Sequence, residues 1–405
     1  MAVINADALS TPGPVAEASD PRESMTVLPG FLQYPLTIFT GKALPGQRSL
    51  GWTPTFHLVT ATASMVAGAL LSTVGYALGG AWLLLLLPGW AVTLHGMRNL
   101  RMMVYHQCSH RNMYRRRKPD RIIGHAVSSL LVIQNFQRYS REHVSDHHAT
   151  HHMTLQDPTV QAFLVSLGMH PGLTRRQMWR RLLGKLVSPR FHFAFAVSRV
   201  RSFLTESARS EKVSALCLYG TAIAVTVPTG TWAALLVVWF VPLVPLFQIS
   251  NTLRLCVKHT FPKAGVEDRH SRAYFASLTN AIFIGEPVPS HRLPAVRRAL
   301  AWTRWTARLL FVHAPSRYLV LTGDTVVHDY HHLHPRSPDW ANYLFVRQQD
   351  AERGGPGRPP YQEVWGLVPA ISHVFDSLTA ADPAEFDVSR LRSVSKRELF
   401  AAFDD

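Results

Sequence analysis

His106-Gln107-Cys108-Ser109-His110 sets two imidazoles four residues apart, which places both on one face of an α-helix and lets them converge on one metal ion. His143, His147 and His148 form a second cluster, with His151 and His152 immediately behind it. His328-Asp329-Tyr330-His331-His332 is a third cluster with helical spacing, and His259 stands alone ahead of it. Any one of these histidines would ordinarily be a surface or core residue. With 21 histidines in 405 residues, several ordered clusters exceed what scatter produces.

The donor set narrows the chemistry. A structural zinc site takes four ligands, usually including cysteine. This chain has only Cys108, Cys217 and Cys256, which support neither a disulfide framework nor a cysteine-based zinc or rubredoxin-type site. There is no His-Glu-x-x-His peptidase pattern. Eight or nine imidazoles exceed one zinc but suit two irons, each with several nitrogen ligands and an open position for dioxygen. Soluble diiron proteins instead use carboxylates and Glu-x-x-His pairs on a four-helix bundle. No pair of Glu-x-x-His motifs occurs here.

The elements that must hold these residues are apolar. Hydrophobic residues make up 47% of the chain, yet its net charge is +16, and the two features are segregated into alternating blocks. Basic residues flanking apolar stretches point to a membrane surface, and no nucleic-acid recognition motif accompanies them. Four stretches approach the length of a span: about His57 to Gly79, Ala81 to Met97, Val213 to Thr229 and Thr231 to Ser250. The first two join at Gly79-Gly80 and the last two at Pro228-Thr229-Gly230, both uncharged turns. Two hairpins then leave every histidine cluster on the side carrying Arg98, Arg101, Arg115 to Lys118, and Arg175 to Lys185. By the positive-inside rule that side is cytoplasmic.

The expected fold is an all-α, multi-pass integral membrane protein. Two transmembrane helical hairpins, about four spans, carry a cytoplasmic helical cap with a histidine-rich dimetal site. The alternative is four buried helices of a soluble α-domain, which would show polar stripes at helical period. Residues 1–50 read as an N-terminal cytoplasmic tail, its first 25 or so flexible. Residues 51–345 read as the catalytic domain and 346–405 as a C-terminal extension. Arg175 to Lys185 suits either an interfacial amphipathic helix or a solvated basic face. The semi-apolar stretches Arg121 to Phe136 and Thr306 to Leu321 are too short or interrupted to span, and suit the membrane interface.

From about Leu100 to Pro335 the chain resembles the membrane fatty-acid desaturase/hydroxylase superfamily, whose members carry three ordered histidine boxes. His106 to His110 is similar to the first box of acyl desaturases, with Gln107 where Asp or Glu is usual. Glu142-His143-x-x-x-His147-His148, followed by Asp157-Pro158, resembles the second box of alkane hydroxylases. His331-His332-Leu333-His334-Pro335 resembles the third box of both. His259 matches an extra histidine after the second hairpin, with Lys258 in place of a common Glu. The resemblance implies metal ligation by His106, His110, His143, His147, His148, His259, His328, His331 and His332. His148-Ala149-Thr150-His151-His152 also satisfies a box, which makes His151 and His152 alternative ligands. Asp157, Asp324 and Asp329 are candidate acceptors for the distal imidazole N–H. His57, His95, His192, His270, His291 and His313 show no pattern and read as structural.

The implied activity is dioxygen-dependent attack on unactivated C–H bonds of a lipid-like substrate by a two-iron centre. Fatty-acyl desaturation is the leading reading, hydroxylation of an alkyl, lipid or terpenoid substrate the alternative. A non-enzymatic metal-binding membrane protein or transporter is a third, disfavoured because the histidines cluster outside the apolar stretches. Dioxygen chemistry consumes two electrons, and no iron–sulfur or cytochrome motif is fused to the chain. An external donor such as a ferredoxin with its reductase is implied.

Overall fold

The computed structural model describes residues 20–265, 271, 274, 277–354 and 361–391, the side chains of 145, 146, 149 and 150 aside. These residues are mostly helical. After α1 (Gln33–Thr40), Thr53 caps α2 (Pro54–Leu78) by accepting a hydrogen bond from the Phe56 N–H. α2 stops at Gly79 and Gly80, whose φ angles of 65° and 52° form the expected uncharged turn. α3 (Gly80–Ser109) returns along it. The two helices touch through small residues: a Cβ on Gly68 would lie 2.3 Å from the Thr93 nitrogen, and one on Gly96 2.3 Å from the Met65 nitrogen. Such close approach is how helices gain packing in lipid, where water supplies no drive. Val66, Leu70, Val74, Leu84 and Leu87 face outward, a surface suited to hydrocarbon.

α3 continues beyond its apolar stretch, through a π-helical segment (Leu100–Tyr105), into the first histidine cluster. α4 (Arg117–Leu131) and α5 (Phe136–Arg141) follow, and α5 runs on as a π-helix (Glu142–Thr150) carrying the second cluster. Next come α6 (Arg175–Leu186), α7 (Pro189–Glu206), α8 (Arg209–Thr226) and α9 (Trp232–Leu255). Pro242 and Pro245 of α9 fall in a π-helical turn that accommodates their missing donors.

Among the described residues three helices, α2, α3 and α9, are long and apolar enough to cross a membrane, against the four stretches expected. The expected third lies in α8, whose first turn carries Arg209, Glu211 and Lys212. Glu211 is buried and accepts hydrogen bonds from the Asn135 side chain (2.7 Å) and the Phe136 N–H (3.2 Å). The charged turn therefore ties α8 to the start of α5. Beyond it Leu216, Leu218, Ile223 and Val225 are exposed.

The all-α expectation is amended by one small sheet. β1 (Ala281–Phe283) pairs in parallel with β2 (Glu363–Trp365), Ala281 opposite Glu363 and Phe283 opposite Trp365. Three residues are too few to show alternation, so neither strand left a periodic trace. Between them lie α10 (Ala295–Arg308), α11 (His328–Leu333) and α12 (Tyr343–Arg353), and α13 (Leu367–Thr379) follows. α13 packs on α6: the Trp179 and Phe375 rings lie 5.5 Å apart, and Arg175 pairs with Asp376 at 2.9 Å. The buried face of α6, Met178 and Leu182, thus meets protein.

The expected flexible start lies mostly outside the described residues. From Asp20 on, it is corrected. Arg22 is fully buried, donating to the Gln33 side chain (2.9 Å), the Gln33 carbonyl (2.8 Å) and the Thr37 hydroxyl (3.1 Å). One guanidinium with several acceptors anchors a segment whose composition alone reads as disordered.

Candidate metal centre

Nine histidines converge in two groups. His106, His110, His143, His148 and His331 form the first; His147, His259, His328 and His332 form the second. Within each group the offered nitrogens lie within 4.8 Å of one another. In the first, Nε2 of His143 is 2.8 Å from that of His106 and 3.0 Å from that of His148, and His148 is 3.2 Å from His331. In the second, Nε2 of His259 is 3.1 Å from that of His147 and 3.2 Å from that of His328. Two imidazole nitrogens bound at about 2.1 Å to one ion at right angles stand about 3.0 Å apart. These separations are those of neighbouring ligands on a shared ion. The groups abut, with His148 and His332 stacked at 4.2 Å between ring centroids.

The π-helix explains how one cluster serves both groups. Helical spacing in the sequence aligns His143 with His147. In a π-helix the bonds run from i to i+5, so residues five apart align instead. His143 accordingly meets His148, while His147 turns toward His152, their ring centroids 5.3 Å apart. The adjacent residues His147 and His148 go to different groups. His331 and His332 of α11 divide in the same way. Behind His143, the Tyr139 ring stacks at 5.1 Å, and the Arg101 guanidinium lies 4.2 Å from the Tyr139 centroid.

Of the two alternative ligands, His152 is buried beside the second group and forms a further cluster with His147 and Asp157. Its Nδ1 is tied to the His147 carbonyl at 2.9 Å. His151 is half-buried and belongs to neither group.

The three aspartates differ in what they touch. Asp157 is fully buried, with Oδ2 3.2 Å from His147 Nδ1 and 2.9 Å from the Met153 N–H; its Oδ1 accepts from the Thr159 N–H at 2.8 Å. Burial alone would raise this carboxyl, but His147, His152 and the backbone donors hold it down at about 2. Asp324 Oδ2 stands 3.6 Å from His106 Nδ1 and accepts from the Gln107 amide at 3.2 Å. A distant turn thus brings a carboxylate up to Gln107. Burial raises the Asp324 carboxyl, partly offset by His331 and Gln107. Asp329 has another partner: Arg347 of α12 at 2.9 Å, both side chains almost completely buried. Arg347 also pairs with Glu363 of β2 at 2.5 Å. Nothing in the spacing of the sequence announces that clamp.

Burial, and then the neighbouring imidazoles, hold His143, His148 and His332 well below the ordinary imidazole range; for His328 burial is followed by Lys258. Neutral rings keep a nitrogen lone pair for a metal. Nε2 of His110 and of His332 are buried with no hydrogen-bond partner among the described residues, a cost of about 1–3 kcal/mol each that a bound ion removes. Of the histidines without a pattern, His57 and His95 bond the Ala341 and Tyr318 carbonyls, at 2.7 and 2.8 Å. His270 lies outside the described residues.

The arrangement can hold two divalent ions side by side on nitrogen. The sequence profile of the fatty acid desaturase family matches residues 80–365, a stretch that contains all nine histidines. No curated protein matches the chain.

Proposed function

The chain belongs to the fatty acid desaturase family, and from that premise we propose that it is a membrane diiron oxidoreductase that uses dioxygen to desaturate fatty-acyl chains. The observation that carries the reading is the pair of buried imidazole groups with nitrogens 2.8–3.2 Å apart. His106, His110, His143, His148 and His331 would hold one iron, and His147, His259, His328 and His332 the other, with His152 in reserve beside His147. When bound, the irons supply dioxygen reduction and removal of hydrogen from carbon. The chain supplies position and exclusion of water. Asp157 fixes the His147 tautomer so that Nε2 faces the ion, while Asp324 places a carboxylate 3.6 Å from His106 Nδ1.

A cavity of about 190 Å³ supports the lipid-like substrate. It is lined by Trp52, Phe56, His57, Met103, Tyr318 and Gly323, among others. Met103 is three residues from His106 on the same helix, and Gly323 adjoins Asp324. The cavity therefore reaches within a helical turn of the first histidine group, and an alkyl chain from the bilayer would enter by it. In this reading α8 joins α9 as the second hairpin, four spans in all, and the polar body is cytoplasmic. Residues 51–345 form the catalytic unit. A separate ferredoxin-type protein delivers electrons at the basic face.

Hydroxylation is the second reading. The Glu142 to Pro158 segment and the His331 to Pro335 tail resemble alkane hydroxylases, and the Asp157 contact with His147 gives that pattern a physical role. The deciding experiment is expression with a matched reductase followed by mass spectrometry of total lipids. Loss of two hydrogens marks desaturation; gain of one oxygen marks hydroxylation. Full activity in protein containing zinc and no iron would overturn both.

A further inference from the structure

A cavity of about 740 Å³ opens between α6, the start of α7 and the turn at 165–168. Four cations line it, Arg180, Arg181, Lys185 and Arg190, and none of its lining residues is acidic or a histidine. Arg181 donates to the Gly168 carbonyl, which fixes that wall. The Lys185 ammonium sits 5.3 Å from the Phe191 ring centroid. Partial burial lowers its pKa, and Arg181 and Arg190 lower it further, so cations from two helices face one another. Like charges gathered in a concave site favour an anion between them. The cavity also borders the start of α7, an 18-residue helix capped by Ser188, where the positive end of the helix dipole adds to the field.

A second observation says what kind of anion. Phe193, Val197, Val200 and Leu204 are all exposed, at spacings of four, three and four residues, and form one narrow apolar stripe along α7. The stripe begins three residues after Arg190. On the α6 side Leu183 and Val187 are exposed as well. A free phosphate would use the cations and leave the stripe in water; a lipid uses both.

We propose that this cavity binds the phosphate headgroup of an anionic phospholipid, whose acyl chains lie along the α7 stripe. The site is separate from the histidine groups and does not depend on how they are read. The test uses the full chain in an uncharged detergent, with fluorescent phosphatidylglycerol and fluorescent phosphatidylcholine followed by anisotropy. Phosphatidylglycerol should bind about tenfold or more tighter, as expected when several basic side chains meet one anionic headgroup. Arg180→Gln/Lys185→Gln/Arg190→Gln should abolish the preference, and Lys185→Gln alone should weaken it. An equal loss of charge on α10, Arg297→Gln/Arg298→Gln/Arg304→Gln, should leave it intact. Phe193→Ser/Val197→Ser should weaken lipid binding. A monodisperse size-exclusion profile and a melting temperature at the wild-type level mark each variant as folded. Equal affinity for the two lipids would overturn the proposal, as would retained preference in the cavity variants or an equal loss in the α10 variant. Displacement of the lipid by millimolar inorganic phosphate, with no effect of the serine substitutions, would show that phosphate alone is recognised.

Discussion

Asp157→Asn tests the centre most sharply, because the substitution keeps the shape and reverses one hydrogen bond. Asp157 has two jobs. Oδ1 accepts from the Thr159 N–H at 2.8 Å and caps the short helix Pro158–Gln161; Oδ2 faces the Met153 N–H at 2.9 Å and His147 Nδ1 at 3.2 Å. Asparagine caps a helix as well as aspartate does, so the first job survives. The second does not, since its NH₂ would point at two donors. His147 can meet that amide only by giving up its Nδ1 proton, which moves the proton to Nε2, the nitrogen facing His259. The ring then offers no lone pair to the second group. Losing such a partner lowers metal affinity by about 10–100-fold. We expect Asp157→Asn to lose iron from the second group while the first retains it. In a chelator titration of purified protein, one iron should leave at markedly lower chelator concentration, with thermal stability of the metal-free form within about 1–3 kcal/mol of wild type for one unsatisfied amide. Wild-type affinity at both irons would refute the tautomer argument. Equal loss from both would refute the assignment of His147 to one group.

His147→Ala and His148→Ala, though neighbours, should perturb different irons, giving distinct Mössbauer spectra; identical spectra would refute their division between the two groups. Asp329→Ala removes one partner of the buried Arg347, which keeps Glu363, and should destabilise by about 3 kcal/mol, the lower end for a broken buried pair, as read by thermal melting. Gly96→Leu forces the α2–α3 hairpin apart, since even a Cβ there meets backbone at 2.3 Å. It should cost about 1–3 kcal/mol or more and reduce folded protein in fluorescence-detected size exclusion. The buried histidines have folded-state pKa values below their ordinary 6.5, so the unfolded chain binds more protons under acid. Metal-free protein should therefore hold its stability above that value and lose it progressively as pH falls below; melting temperatures that rise toward pH 5 would contradict this.

The histidines were the legible part of the centre. All nine singled out by spacing and resemblance meet in two groups, because ordered clusters of one residue type leave a mark that loop length cannot erase. Which cluster member joins which group was not legible, since residues 142–150 carry no signal separating a π-helix from an α-helix. Asp324 could be named but not placed: its contact with Gln107 spans more than two hundred residues. The first hairpin was legible from its apolar runs and the Gly79-Gly80 turn. The charged first turn of α8 blurs the second, because Glu211 is used to hold α5 rather than to face water. The tie between β1 and β2 was hidden by brevity, and Arg347 by the ordinary look of one arginine on a polar helix.

His331 and His332 close different groups from successive positions on α11. The first group is complete only at residue 331 and the second only at 332, after α2, α3, α8 and α9 have all been made. The order of synthesis therefore becomes an order of maturation. The apolar helices are committed first, and metal loading is a late event on a chain already inserted. A nascent chain stalled before α11 would present six of the nine imidazoles and still complete neither group. Metal delivery would thus act as a checkpoint on nearly finished protein.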